Sequence, residues 1–146
     1  MKYKFYPFTV SPDFKTFEFI SKGKNGMILK RVGFISTDRP YVFNLGLGDV
    51  DESGNVFDTT ITNNGDTHKV LNTIHMIVLE FLRHGKLNSV IIQGNTLSRK
   101  RLFKIYISAN LSQITGDLEI FGFNKGVWEK FERKNEYYIF LIRKKK

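Results

Sequence analysis

Residues 67–93, THKVLNTIHMIVLEFLRHGKLNSVIIQ, hold the change of period that decides the fold. From Thr67 to His84 the apolar residues recur at helical spacing: Leu71, Ile74, Val78, Phe81 and Leu82 make one stripe, and Val70 and Ile77 widen it. Asn72, His75 and Arg83 fall largely elsewhere. Asp66 stands just before the stripe as an N-cap, and Gly85 just after it in the C′ place. Asn88–Gln93 then reads as a strand around the run Val90-Ile91-Ile92. Strand, helix and strand in succession imply a right-handed crossover, so part of the sheet is expected to be parallel.

Upstream, the period is two. Thr16–Ser21 alternates Phe17 and Phe19 against Thr16 and Glu18. Lys22-Gly23-Lys24-Asn25-Gly26 reads as a turn, Met27–Ser36 as a strand, Asp38-Arg39-Pro40 as a turn and Tyr41–Leu47 as a strand, which together make an antiparallel meander. Val56–Thr62 is a fourth strand. Residues 1–15, with Pro7 and Pro12, read as an irregular lead-in. Downstream, a second helix is expected after Thr96, then strands over Asp117–Phe123, Val127–Phe131 and Tyr137–Arg143. The fold class is therefore α+β: a twisted, largely antiparallel sheet of about seven to eight strands with two helices, the first long and buried. The 146 residues suit a single domain, 1–146, with a basic tail at 143–146.

Composition narrows the function classes. There is no cysteine, which removes disulfides, thiolate metal sites and cysteine nucleophiles. The N-terminus lacks the pattern of a signal peptide, and the longest apolar-rich stretch, Ile74–Leu82, is too short to span a membrane. A cytoplasmic protein is the expectation. The formal charge is +9 and lopsided: residues 1–65 hold eight Lys/Arg and seven Asp/Glu, residues 66–146 fifteen and seven. Such an excess points to an anionic partner, nucleic acid or nucleotide, or to an acidic protein.

The richest candidate site is Asn88–Asn110, where a strand feeds a helix through a Gly-containing turn. Gly94, Asn95 and Thr96 offer backbone N–H groups and a hydroxyl to a phosphate; Arg99, Arg101 and Lys104 supply charge. The stretch is neither GxxxxGK[ST] nor GxGxxG, so the signal is generic. Asp66 and His68, at the strand–helix junction beside Asp58, are the candidate acid and base for a phosphate-ester hydrolase or transferase. Asp49, Asp51, Ser53 and Gly54 partly match a calcium loop, but Thr60 holds the place of the bidentate Glu. His68, His75 and His84 have no metal spacing. No metal and no cofactor are expected.

The stretches GDVDE at 48–52, TNNGDTHKVLNTI at 62–74, GNTLSRKRLFKI at 94–105 and GFNKGVWEKF at 122–131 resemble a family of small bacterial proteins of unknown function, found mostly in Bacteroidetes. Its members read G-[NS]-T-x-x-R-x-R-L-[YF], matched here by Gly94, Asn95, Thr96, Arg99, Arg101, Leu102 and Phe103. The resemblance implies a bacterial domain and no reaction. The leading expectation is a small basic protein binding a nucleic acid or nucleotide phosphate through the strand–turn–helix. The alternatives are the hydrolase or transferase, and a protein-interaction partner in a two-gene stress or phage-defence module.

Overall fold

The computed structural model describes residues 4–54, 56–57, 64–93, 107, 116, 118–137 and 139–145. These carry nine strands and one helix: β1 (Phe8–Val10), β2 (Thr16–Gly23), β3 (Gly26–Ser36), β4 (Val42–Val50), β5 (Val56–Phe57), α1 (Thr67–His84), β6 (Ser89–Gln93), β7 (Leu118–Asn124), β8 (Val127–Lys130) and β9 (Ile139–Lys144). The expected α+β class with a mostly antiparallel sheet is borne out. The two helices are not: among the described residues there is one, and the second, expected after Thr96, lies outside them save for the buried Ile107. The remainder of the fourth strand, from residue 58 to 62, also lies outside. The chain divides into two compact units, Met1–Ile35 with Gly46–His84, and Ser36–Leu45 with Gly85–Lys146.

In the first unit the strand order is β1-β2-β3-β4, with β5 paired to β4. Alternation makes one face apolar: Phe17 and Phe19 on β2, Val32 and Phe34 on β3, Leu47 on β4. This face packs on the stripe of α1, where Phe81 stacks on Phe34 with ring centroids 3.9 Å apart. Val70, Leu71, Ile74, Ile77, Val78 and Leu82 are buried with it. Burying a side chain of this size is worth about 1.5–3 kcal/mol, so the stripe carries far more stability than helix propensity does.

The helix begins as its sequence suggests: Val70 N–H bonds the carbonyl of Asp66 at 3.0 Å. Its end has a different cause. Gly85 does not adopt a positive φ; it is small because Asn88 crowds it, a Cβ there meeting Asn88 Nδ2 at 2.2 Å.

The lead-in 1–15 is not wholly irregular. Thr73 Oγ1 accepts Tyr6 N–H at 2.8 Å, Asn72 Nδ2 donates to the Lys4 carbonyl at 3.1 Å, and Phe8–Val10 adds to β2 with Phe8 opposite Phe19. Two helix side chains thus draw the segment onto the sheet edge, where Tyr6 is buried.

The second unit orders its strands β4-β6-β9-β7-β8. β4 and β6 are parallel, Val42 opposite Ser89 and Leu45 opposite Ile92, as the crossover implies. The other pairs are antiparallel. One face buries Val90, Ile92, Leu118, Ile120, Phe140 and Ile142, with Tyr137 beside them. Gly122 makes room for that tyrosine: a Cβ would lie 2.2 Å from its ring. Of the basic tail, Arg143 and Lys144 close β9. Among the described residues no helix is long and apolar enough to cross a membrane.

Candidate anion-binding site

Gln93 ends β6, and the expected phosphate residues that follow it, Gly94, Asn95, Thr96, Arg99, Arg101 and Lys104, lie outside the described residues. Asp58 does too. Asp66 and His68 are described, and the structure gives them different surroundings. Asp66 Oδ2 accepts two short hydrogen bonds, from Tyr6 Oη and Ser21 Oγ, both 2.6 Å. Burial, followed by the bond to Asp66, holds the Tyr6 phenol above its ordinary pKa, so Tyr6 stays a donor. Ser21 Oγ in turn accepts from Asn64 Nδ2 at 3.1 Å. His68, two residues on, is exposed.

Asn64 is the centre of this network and is only 2% exposed. Besides Ser21, its Nδ2 donates to the Gly26 carbonyl at 3.0 Å, and its Oδ1 accepts Asn25 N–H at 2.6 Å. Its carbonyl accepts Lys24 N–H at 3.2 Å. A single residue thereby saturates the β2–β3 turn, and Gly23 lies so close that a Cβ would collide with the Asn64 carbonyl oxygen at 1.9 Å. Asn64 and Asp66 therefore make a clasp between a hairpin and a helix start. In the partial calcium loop, Asp49 Oδ1 takes Lys30 Nζ at 2.5 Å, Lys30 being fully buried. Asp51 Oδ1 accepts Ser53 N–H at 3.0 Å, and Gly54 N–H bonds the Asp51 carbonyl with Gly54 at φ +86°. Among the described residues no His, Asp and Glu cluster suits a metal ion.

The second unit holds a different site. Ser89 opens β6 opposite Arg143 near the end of β9, and Leu118 opens β7 opposite Lys144. The loop before β6 is fixed by Asn88 N–H to the Gly85 carbonyl at 2.9 Å, and Ser89 N–H bonds the Tyr41 carbonyl at 2.7 Å. These elements enclose a cavity of about 640 Å³ lined by Lys86, Asn88, Ser89, Arg143, Lys144 and Lys145 among others. That volume is within the range of small-ligand sites.

Four cations and a hydroxyl- and amide-bearing wall make a lining suited to an oxyanion. Arg143 Nε donates to Glu119 Oε2 at 2.8 Å, and its guanidinium lies 4.8 Å from the centre of the Phe121 ring. That hydrogen bond, with the charges of Arg143, Lys130 and Lys145, holds the Glu119 carboxyl below its ordinary pKa. One carboxylate thus faces several cations. Among the described residues Lys86 and Lys144 form no ion pair, so their charge remains available.

Sequence reasoning missed Lys86, placed Asn88 and Ser89 only in the strand leading to the expected phosphate turn, and read 143–146 as a basic tail. The two groups are more than fifty residues apart in the chain, and only the β6–β9 pairing joins them.

A family model spans residues 2–145, nearly the whole chain. The chain belongs to a family of unknown function, DUF6934. Membership bears out the expected resemblance to a family of unknown function, and the clasp and the basic cavity are thus features of a DUF6934 domain. No curated protein and no solved structure matches the chain.

Proposed function

We propose that this DUF6934 chain binds the phosphate groups of a nucleic acid or nucleotide. The observation that carries the reading is the basic cavity at the head of β6, where Lys86, Arg143, Lys144 and Lys145 meet around Asn88 and Ser89. Arg143 suits a planar contact to phosphate and the lysines act as point charges. Gly94, Asn95, Thr96, Arg99, Arg101 and Lys104, which follow Gln93 in the sequence, are a second proposed contact. The hydrolase reading is weaker, because Asp66 spends its carboxylate oxygen on Tyr6 and Ser21.

Binding of a labelled oligonucleotide, followed by fluorescence anisotropy at several salt concentrations, tests the proposal. Affinity should fall steeply with salt. Replacing Lys86, Lys144 and Lys145 together by alanine should weaken binding by roughly tenfold or more and lower the salt slope by about 3, one for each lysine that neutralises a phosphate. Arg99→Ala with Arg101→Ala should weaken it separately. An absence of binding at low ionic strength overturns the reading.

A further inference from the structure

The two faces of the second unit's sheet differ in a way that its core does not require. Register puts Phe121 and Phe123 of β7 on one face with Trp128 and Lys130 of β8 and with Leu141 and Arg143 of β9. Ile91 of β6 extends the row opposite Leu141. The opposite face holds the buried residues Leu118, Ile120, Val90 and Phe140. This one is nowhere fully buried: Ile91, Phe121, Phe123 and Leu141 are partly exposed, and Trp128 is 38% exposed. An antiparallel sheet with one solvated face normally shows polar residues there. Here it shows three aromatic rings, aliphatic neighbours and two cations.

The rings are held for presentation. Trp128 meets Phe123 edge to face, with centroids 5.1 Å apart and planes at 67°. Phe121 carries the Arg143 guanidinium 4.8 Å from its centre. Phe121 and Phe123 are two residues apart on one strand, roughly 7 Å, enough for successive flat groups to lie side by side. Arg143 belongs both to this face and to the cavity lining, so the ring row runs directly into the basic cavity. The one acid at these register positions, Glu119, is already neutralised by Arg143.

From this juxtaposition we infer that the face is a platform for unpaired bases, and that the ligand of the cavity is single-stranded nucleic acid. The inference rests on the anion-binding reading of the cavity. Charge selects the occupant: an apolar partner surface would gain nothing from Lys130, Arg143 and the cavity lysines, whereas a strand with a phosphate backbone and flat bases uses both halves. Stacking of bases on aromatic side chains is tolerant of sequence and requires bases free of a duplex.

Trp128 is the chain's single tryptophan, so its emission reports on the platform alone. The test titrates the full-length protein at low salt with a twelve-nucleotide thymidine strand, the matching uridine strand and a duplex of the same length. Quenching of Trp128 on saturation with a single strand, and at least tenfold weaker binding of the duplex, are expected. Measured by anisotropy, Trp128→Ala and Phe123→Ala should each lower single-strand affinity about five- to fiftyfold, with duplex affinity held within twofold. Trp128→Phe, which keeps a ring, should restore most of the affinity and guards against a folding defect. Equal affinity for strand and duplex, or saturation with unchanged tryptophan emission, overturns the platform and leaves the phosphate-binding cavity standing. A dimer in sedimentation that Trp128→Ala dissolves also overturns it, because a second copy then covers the face. Loss of all salt-sensitive binding sinks the cavity reading and this one with it.

Discussion

The two units treat charge in opposite ways. In the first, Lys30 is buried against Asp49, and Arg31 pairs with Glu18. Its polar side chains close on one another through Asn64, Ser21, Tyr6 and Asp66. In the second, Lys86, Arg143, Lys144 and Lys145 converge on one cavity with Glu119 as the carboxylate bonded among them. A matched charge fixes a fold, because a buried ion without its partner is costly. An excess of unmatched charge repels itself, and it is relieved when an anion arrives. The contrast is why the first unit reads as scaffold and the second as a contact surface.

The strongest way to break that contrast is to unmatch the first unit. Asp49→Ala strands the Lys30 ammonium in the interior and should cost about 3–5 kcal/mol in urea unfolding, whereas Lys30→Met with Asp49→Leu should lose much less. If Asp49→Ala proves neutral, Lys30 is not held by matching. Next in size, Asn64→Ala leaves Asn25 N–H and the Gly26 carbonyl without their partner and should destabilise by about 2 kcal/mol. A similar loss from His68→Ala, a near neighbour outside the network, would refute the clasp. On the second unit the expectation reverses. The triple alanine variant of Lys86, Lys144 and Lys145 should change unfolding stability by less than about 0.5 kcal/mol while removing most oligonucleotide binding.

Acid sharpens the comparison with smaller effects. Burial lowers the pKa of His75 in the first unit below its ordinary value of 6.5. Below that pH the unfolded chain takes up a proton that the folded chain refuses, so stability should fall as pH drops through about 6.5. The melting temperature should be lower at about pH 5.5 than at about pH 7.5, and His75→Gln should narrow the gap. Glu119 in the second unit is held below the ordinary carboxylate range by Arg143. Its contribution is present above that range and lost as pH falls through it, so Glu119→Gln should flatten the pH dependence of the melting temperature only below about pH 4.5. A Glu119→Gln effect at neutral pH larger than that of Asn64→Ala would invert the assignment of scaffold and surface.

Much of the scaffold is legible along the chain. The Leu71, Ile74, Val78, Phe81, Leu82 stripe locates α1 over the observed Thr67–His84. The alternation of Phe17 and Phe19 locates β2, and the strand–helix–strand order anticipates the parallel β4–β6 pair. Both signals repeat within a few residues, so a local reading finds them. β1 escapes because three residues between Pro7 and Pro12 show no period; Thr73 and Phe19 recruit them from elsewhere in the chain. Gly85 matches the C′ rule by position yet serves by yielding space to Asn88.

The fold class, the long buried helix and the basic excess of residues 66–146 are written in the order of the amino acids alone. They follow from hydrophobic period and composition, which act over one or two turns of chain or not through space at all. Which charges are matched was settled only in three dimensions. Folding put Asp49 against Lys30, made Asn64 a clasp rather than a loop residue, and turned a lysine-rich end into one wall of a cavity with Lys86. The reason is strand register: pairing Ser89 with Arg143 brings distant residues within reach, and no local pattern encodes that distance.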